Sequence, residues 1–182
     1  MARTELRLSG SGGQGLILAG IILGEAAALH DGKQAVQSQS YGPEARGGAS
    51  RSEVIISTDP IDYPKVREPD VLLCMSRESY DRYAGTVKKG GILIYDSFHV
   101  KAGEALQVNA YGLPLTQIAQ EKAGKKIVAN AVALGAIAAL TGAVSMNALK
   151  AAMRSRVPKG TEEMNLKALE AGFEAGEKAL KK

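Results

Sequence analysis

The stretch Glu5-Leu6-Arg7-Leu8-Ser9-Gly10-Ser11-Gly12-Gly13-Gln14-Gly15-Leu16-Ile17-Leu18-Ala19 decides the fold. Its opening alternates charged and apolar residues, a period of two, and its close is continuously apolar. A glycine loop therefore joins a first strand to a first helix. Gly10, Gly12 and Gly15 have the G-x-G-x-x-G spacing of dinucleotide-binding turns: one glycine for the tight turn, one for close ligand approach, one for helix-on-strand packing. Backbone amides and the helix dipole at such a turn point at an anion. With Gly13 and Gln14, these three form the predicted cofactor-binding loop. An NAD site also needs a carboxylate about 20 residues on to hold the ribose. The stretch Lys33-Gln34-Ala35-Val36-Gln37-Ser38-Gln39-Ser40 has none, so the loop reads as Rossmann-like and an ordinary NAD site is disfavoured.

Working outward, the 182 residues suit one domain spanning 1–182, and a chain of that length buries roughly 70% of its unfolded surface without a staple. The one cysteine, Cys74, excludes an internal disulfide and any cluster or zinc site held by several thiolates. Its neighbours Val71-Leu72-Leu73 favour an inert core thiol over a nucleophile. The net charge is a modest +4, and the lysines include the pairs Lys88-Lys89, Lys125-Lys126 and Lys181-Lys182, without interleaved aromatics. That pattern reads as solvated surface, and nucleic acid is rejected as the main partner. The start Met1-Ala2-Arg3-Thr4-Glu5 lacks a leader's apolar core, so a cytoplasmic address is expected. Ile127 to Val144 is apolar but rich in alanine and glycine. It predicts a buried helix, within the chain or at a subunit contact, with no membrane span.

Periods of two and 3.6 alternate, which predicts an α/β fold: a Rossmann-like three-layer sandwich with a mostly parallel central sheet and a C-terminal helical segment. The first helix is expected from about Gln14 to Leu29, with Leu16, Ile17, Gly20, Ile21, Leu23 and Gly24 near one face. Strands are expected near 35–39 and 50–56, and Asp59-Pro60 and Tyr63-Pro64 mark a turn-rich connection. Val71 to Met75 and Ile92 to Asp96 read as strands covered on both faces, separated by a helix from Arg77 to Lys88. Ala105 to Val108 offers a further strand, and Pro114 opens a helix to about Ala123. Ser145 caps a helix to Met153. Thr161 reads as the cap of a last helix whose apolar stripe is Leu166, Leu169, Phe173 and Leu180.

The segment Tyr41-Gly42-Pro43-Glu44-Ala45-Arg46-Gly47-Gly48 is too polar for a core and too long for a simple hairpin turn, and such loops often bind. Arg46, Arg51 and the Gly47-Gly48 backbone suit a carboxylate or phosphate, and Glu44 suits an amine; a plain surface turn is the equal alternative. No nucleophile and base come together. Asp96 and His99 sit where α/β folds gather active-site groups, yet two residues of one loop make no triad, and a strand-end turn is the default. Asp59 and Asp62 are weak evidence for a metal.

In combination, Gly10 to Gly15, Tyr41 to Gly48 with Ser50 and Ser52, Leu93-Ile94-Tyr95-Asp96-Ser97, Asn130 with Leu134-Gly135-Ala136, and Val157-Pro158-Lys159-Gly160 with Asn165 resemble the gamma subunit of 2-oxoacid:ferredoxin oxidoreductases. The resemblance runs in order over nearly the whole chain. It implies a subunit of an enzyme that decarboxylates a 2-oxoacid, joins the acyl group to coenzyme A and passes two electrons to ferredoxin. Glu44 to Gly48 resembles the branch using 2-oxoglutarate or 2-oxoisovalerate more than the pyruvate branch, and 2-oxoglutarate is favoured. The resemblance also implies alpha, beta and ferredoxin-like delta partners that carry thiamine diphosphate, magnesium and iron–sulfur clusters, with no cofactor bound by this chain alone and no catalytic or metal-ligating residue on it. Tyr41, Gly42, Pro43, Glu44, Arg46, Gly47, Gly48 and Arg51 are then expected at a substrate or coenzyme A entrance. Two other readings stand beside this one: a purely structural subunit of that assembly, and a free-standing nucleotide-binding oxidoreductase.

Overall fold

A computed structural model describes residues 3–41, 49–103 and 107–181. Six strands form one sheet in the order β2-β3-β1-β4-β5-β6: β1 (Arg3–Ser11), β2 (Gln34–Tyr41), β3 (Ala49–Ser57), β4 (Val71–Cys74), β5 (Ile92–Asp96) and β6 (Asn109–Leu113). β1, β4, β5 and β6 pair in parallel, whereas β3 runs antiparallel to both β1 and β2. The expected mostly parallel sheet is thus present, with β3 inserted between β1 and the strand that follows the first helix.

Alternation along the strands builds two unequal cores. Leu6, Leu8, Leu73 and Ile94 face the larger one, whereas Leu72, Cys74 and Leu93 face a smaller one closed by Tyr80 and Tyr83. Those tyrosines belong to α2 (Arg77–Tyr83), which Ser76 caps by accepting from Ser79 N. The larger core gathers α1 (Leu16–Glu25), α3 (Leu115–Ala123), α4 (Ala129–Thr141), α5 (Met146–Arg156) and α6 (Glu162–Leu180). α4 is buried around nearly its whole circumference, as an all-apolar helix must be in water. The apolar stretch from Ile127 therefore packs within the protein, and among the described residues no helix is long and apolar enough to cross a membrane.

Glycine sets two helix contacts. A Cβ on Gly20 would strike Ser52 Oγ, so α1 lies directly on β3. Where α6 crosses α4, a Cβ on Gly135 would fall on the Leu169 carbonyl oxygen, and one on Gly172 on that of Val132.

Several expectations shift. The last strand is Asn109–Leu113; of the stretch expected at 105–108, Gln107 and Val108 form a bend, and 105 and 106 lie outside the described residues. It is a mostly exposed edge strand, with no apolar run to announce it, and Gly112 makes room for the Tyr95 ring. The helix expected to reach Lys88 stops as α2 at Tyr83, followed by one tight turn over Ala84–Thr86. In α1, Ala19 and Ile22 join the buried face while Ile17 and Ile21 are only half-buried. The last turn continues as a π-helical segment, Ala26–His30, closed by Gly32 at φ 64°. α5 runs on to Arg156. Thr161 does precede α6, but its hydroxyl donates to Pro158 O at 2.6 Å and caps nothing. Leu180 lies half-exposed beyond the buried part of the stripe.

Candidate functional site

From β1 the chain crosses to one side of the sheet, and from β3 it crosses back to begin β4 on the other. The carboxyl ends of β1 and β4 are therefore a topological switch point, the place where open α/β sheets leave a crevice. The glycine loop lies there, and two buried or half-buried side chains hold its shape. Gln14 Oε1 accepts from Ser11 N at 2.8 Å while Gln14 Nε2 donates to Met75 O at 3.0 Å, tying the loop to the end of β4. Asn130, at the start of α4, donates from Nδ2 to Gly15 O at 3.2 Å. Gly15 sits at φ 71° and a Cβ there would touch that amide, so both conformation and space require glycine. Gly10 is equally constrained, since a Cβ would approach Met75 Cβ to 2.9 Å. Gly13, at φ 88°, faces open space, and Gly12 is exposed. α1 then begins without a side-chain cap or an acidic residue in its first turn, leaving its leading amides open to an anion.

A cavity of about 300 Å³ adjoins the loop, bounded by Gly13, Gln14 and Met75 on one side and by Phe98, His99, Thr116, Lys126, Ile127 and Ala129 on the other. Phe98 and Ile127 are 49% and 66% exposed, unusual for large apolar side chains away from a contact. The rings of Phe98 and His99 meet edge-on at 4.8 Å, and Lys126 Nζ stands 5.0 Å from the Phe98 ring centre. An aromatic face, an ammonium and an open helix start together suit a ligand with a flat ring and an anionic group.

Asp96 lies beneath this wall, fully buried, and its role is structural. It accepts from Thr116 Oγ1 at 2.5 Å, Thr116 N at 3.2 Å and Phe98 N at 3.1 Å, fixing the turn after β5 and supplying the cap that Pro114 cannot give α3. His99 lines the cavity without Asp96, so the strand-end turn is what the structure contains. Cys74, also buried, is pushed up to about 11 by desolvation, against hydrogen bonds from Ser9 and Ser79. It is neither a nucleophile nor a ligand at neutral pH. Among the described residues no three His, Cys, Asp or Glu side chains gather to hold a metal.

Of the predicted residues, Gly13 and Gln14 line the cavity, and Gly10, Gly12 and Gly15 shape its loop. Gly42, Pro43, Glu44, Arg46, Gly47 and Gly48 lie outside the described residues. Tyr41 ends β2, and Ala49, the first residue of β3, pairs with Ser11 at the start of the first glycine loop. Arg51 does not join the cavity. It lies on the opposite sheet face, over the Tyr83 ring, with Nε 3.6 Å from a Glu53 carboxylate already bonded to Arg7 Nε at 2.8 Å. Sequence reasoning missed Met75, Phe98, Thr116, Lys126 and Ile127. Lys126 read as one of a solvated pair, and its only signal was an exposed apolar neighbour.

The chain matches the family described as pyruvate ferredoxin/flavodoxin oxidoreductase over residues 5–175. It is 54% identical to the 2-oxoglutarate synthase subunit KorC of Methanocaldococcus jannaschii, over 94% of this chain and 93% of the relative. The subunit of that name from Methanothermobacter thermautotrophicus is 52% identical, over 94% of each chain. Among solved structures, the gamma subunit of a keto/oxoacid ferredoxin oxidoreductase from Geobacter sulfurreducens superposes with a TM-score of 0.90 at 49% identity, covering 98% of this chain and 99% of that one. A match over nearly the whole sequence, together with that superposition, places the chain in the pyruvate ferredoxin/flavodoxin oxidoreductase family.

Proposed function

We propose that this chain is the gamma subunit of a 2-oxoglutarate:ferredoxin oxidoreductase. The assembled enzyme converts 2-oxoglutarate, coenzyme A and two oxidised ferredoxins to succinyl-CoA, carbon dioxide, two reduced ferredoxins and a proton. The observation that carries this reading is the 54% identity over almost the full length of both chains with a subunit so named. Pyruvate synthase subunit PorC of Methanothermobacter thermautotrophicus is more distant, at 31%, which supports the 2-oxoglutarate branch.

The residues present do not fit a cluster or a catalytic metal: the one thiol is buried and protonated, and no carboxylate and histidine groups converge among the described residues. On this reading thiamine diphosphate, magnesium and iron–sulfur clusters belong to alpha, beta and ferredoxin-like delta partners, and the complex works in the cytoplasm. The crevice beside the glycine loop does fit part of coenzyme A, which supplies the thiol that accepts the acyl group. Gly12 and Gly13 offer close backbone approach, Lys126 a cation and Phe98 a ring face; Arg46, on the neighbouring segment, adds positive charge at the entrance.

Co-purification from the native host tests the assignment. Thiamine-binding and cluster-bearing subunits are expected with the chain, and turnover by the chain alone would refute it. In the complex, Lys126→Ala and Arg46→Ala should each raise the KM for coenzyme A by about threefold to tenfold, the worth of one exposed charge contact, with kcat held. Unchanged kinetics for both would remove the crevice from the entrance.

A further inference from the structure

Strand β2 ends the sheet, paired on one side by β3 alone. Its outward groups follow from the ladder. Glu5 directs both N and O to Asp70, and Ser9 O accepts from Met75 N, so odd residues of β1 face β4 and even residues face β3. Carried through the registers of β1 with β3 and of β3 with β2, the same alternation turns the amides and carbonyls of Ser38 and Val36 to β3. Those of Ala35, Gln37 and Gln39 point outward. Edge strands are ordinarily blunted by lysine, proline or a bulge. Gln34-Ala35-Val36-Gln37-Ser38-Gln39-Ser40 carries no charge and no proline, and its pairing with β3 is unbroken.

Hollows of different chemistry flank this edge. On the α1 face a hollow of about 280 Å³ is bordered by Ile21, Ala28, Ala35 and Leu29, the last 70% exposed, and by Glu25 and Arg156, whose charges cancel in an ion pair. On the other face a hollow of about 520 Å³ is bordered by Arg7, Arg51 and Lys65 against the single carboxylate of Glu53. Arg51 Nε is buried there without a hydrogen bond. A strand laid beside β2 would send alternate side chains into these two hollows.

We infer that the β2 edge receives an extended segment of another subunit, in which acidic residues facing Arg51 and Lys65 alternate with apolar residues facing Leu29 and Ile21. A second copy of this chain does not fit, because its own β2 would bring glutamine and serine, and no carboxylate, to the cationic hollow. The inference rests on the assignment of the chain to a multi-subunit enzyme.

The test uses the co-expressed complex and the affinity of the wild-type chain for it. Gln39→Pro removes an outward N–H and no ladder bond, so the chain should keep its circular dichroism and unfolding midpoint yet bind its partners at least about tenfold more weakly. Lys65→Glu, a surface change outside the crevice, should weaken binding about as much and flatten its salt dependence. Wild-type affinity in both variants overturns the inference while leaving the subunit assignment intact. Self-association lost in Gln39→Pro, with heteromeric affinity unchanged, overturns the choice of occupant. A wild-type chain that captures no partner refutes the subunit assignment, and this inference with it.

Discussion

Gly172→Ala and Gly24→Ala are the same chemical change in two helices, and the structure gives them opposite signs. In an open helix interior, alanine is favoured over glycine by about 0.8–1.0 kcal/mol. At Gly24 an added Cβ would meet Gln37 Cβ at 3.8 Å and Val54 Cγ1 at 4.0 Å, ordinary contact distances, so the helix gain survives. At Gly172 it would land on the Val132 carbonyl oxygen and within 2.6 Å and 2.8 Å of the carbonyl carbon and Cα of that residue. These are backbone atoms of a buried helix, which no rotamer change can move. Restoring contact near 3.5 Å needs α4 and α6 to part by roughly 1 Å, which forfeits a quarter to a half of the dispersion along the crossing. Overpacking of this kind costs about 1–3 kcal/mol. Backbone atoms that cannot yield put this site at the upper end of that range, so the crossing wins and Gly172→Ala should be destabilised by about 1–2 kcal/mol net, a fall in Tm of about 2–8 °C for a chain this size. Gly24→Ala should gain up to about 1 kcal/mol. Urea unfolding followed by circular dichroism checks both, and a neutral or stabilised Gly172→Ala would refute the close crossing.

Other consequences are equally direct. Asp96→Ala strands two buried amides and the Thr116 hydroxyl, so unfolding free energy should fall by about 3 kcal/mol and the Phe98 turn should gain hydrogen-exchange lability. Asn130→Ala removes the bond to Gly15 O and should raise the KM for coenzyme A in the complex more than it lowers Tm, because the amide shapes the loop from outside the core. Cys74 should resist alkylation in the native chain at pH 8. Its pKa is about 11 when folded against an ordinary 9.0, so between those values the unfolded chain holds fewer protons and stability falls as pH rises, by at most about 3 kcal/mol. Comparing the pH 8 and pH 10 urea midpoints of wild type and Cys74→Ala isolates that loss, and equal slopes would refute it.

The elements legible in the sequence are those whose environment is uniform along their length. β4 and β5 are covered on both faces, so their residues are apolar up to Asp96 at the end of β5, and α4 is apolar nearly all round because it is buried nearly all round. What escaped notice depends on residues brought together from afar. Phe98 ends a strand and Lys126 precedes a helix, and nothing local says that the ammonium will stand over the ring. Gly135 and Gly172 read as weak points of their helices until an opposing carbonyl shows why no side chain fits. β6 hid because an exposed edge strand carries no hydrophobic pattern. Gln14 belonged visibly to a binding loop, but both ends of its amide are spent in building that loop, which only the positions of Ser11 N and Met75 O reveal.

That last point bears on how the crevice works. Much of its lining, Gly13, Phe98, His99, Lys126 and Ile127, is exposed, so burial alone does not hold it in shape; fixed polar contacts from behind add to it. Gln14 joins the loop to β4, Asn130 joins it to α4, and Asp96 joins the Phe98 turn to α3. Each contact is made by a half-buried or buried side chain, where competition from water is weakest. Ligand binding at such a site orders little that is not already ordered, so more of the contact energy appears as affinity. Under the proposed function the chain would contribute to turnover in this way, by presenting a rigid wall to chemistry carried on its neighbours.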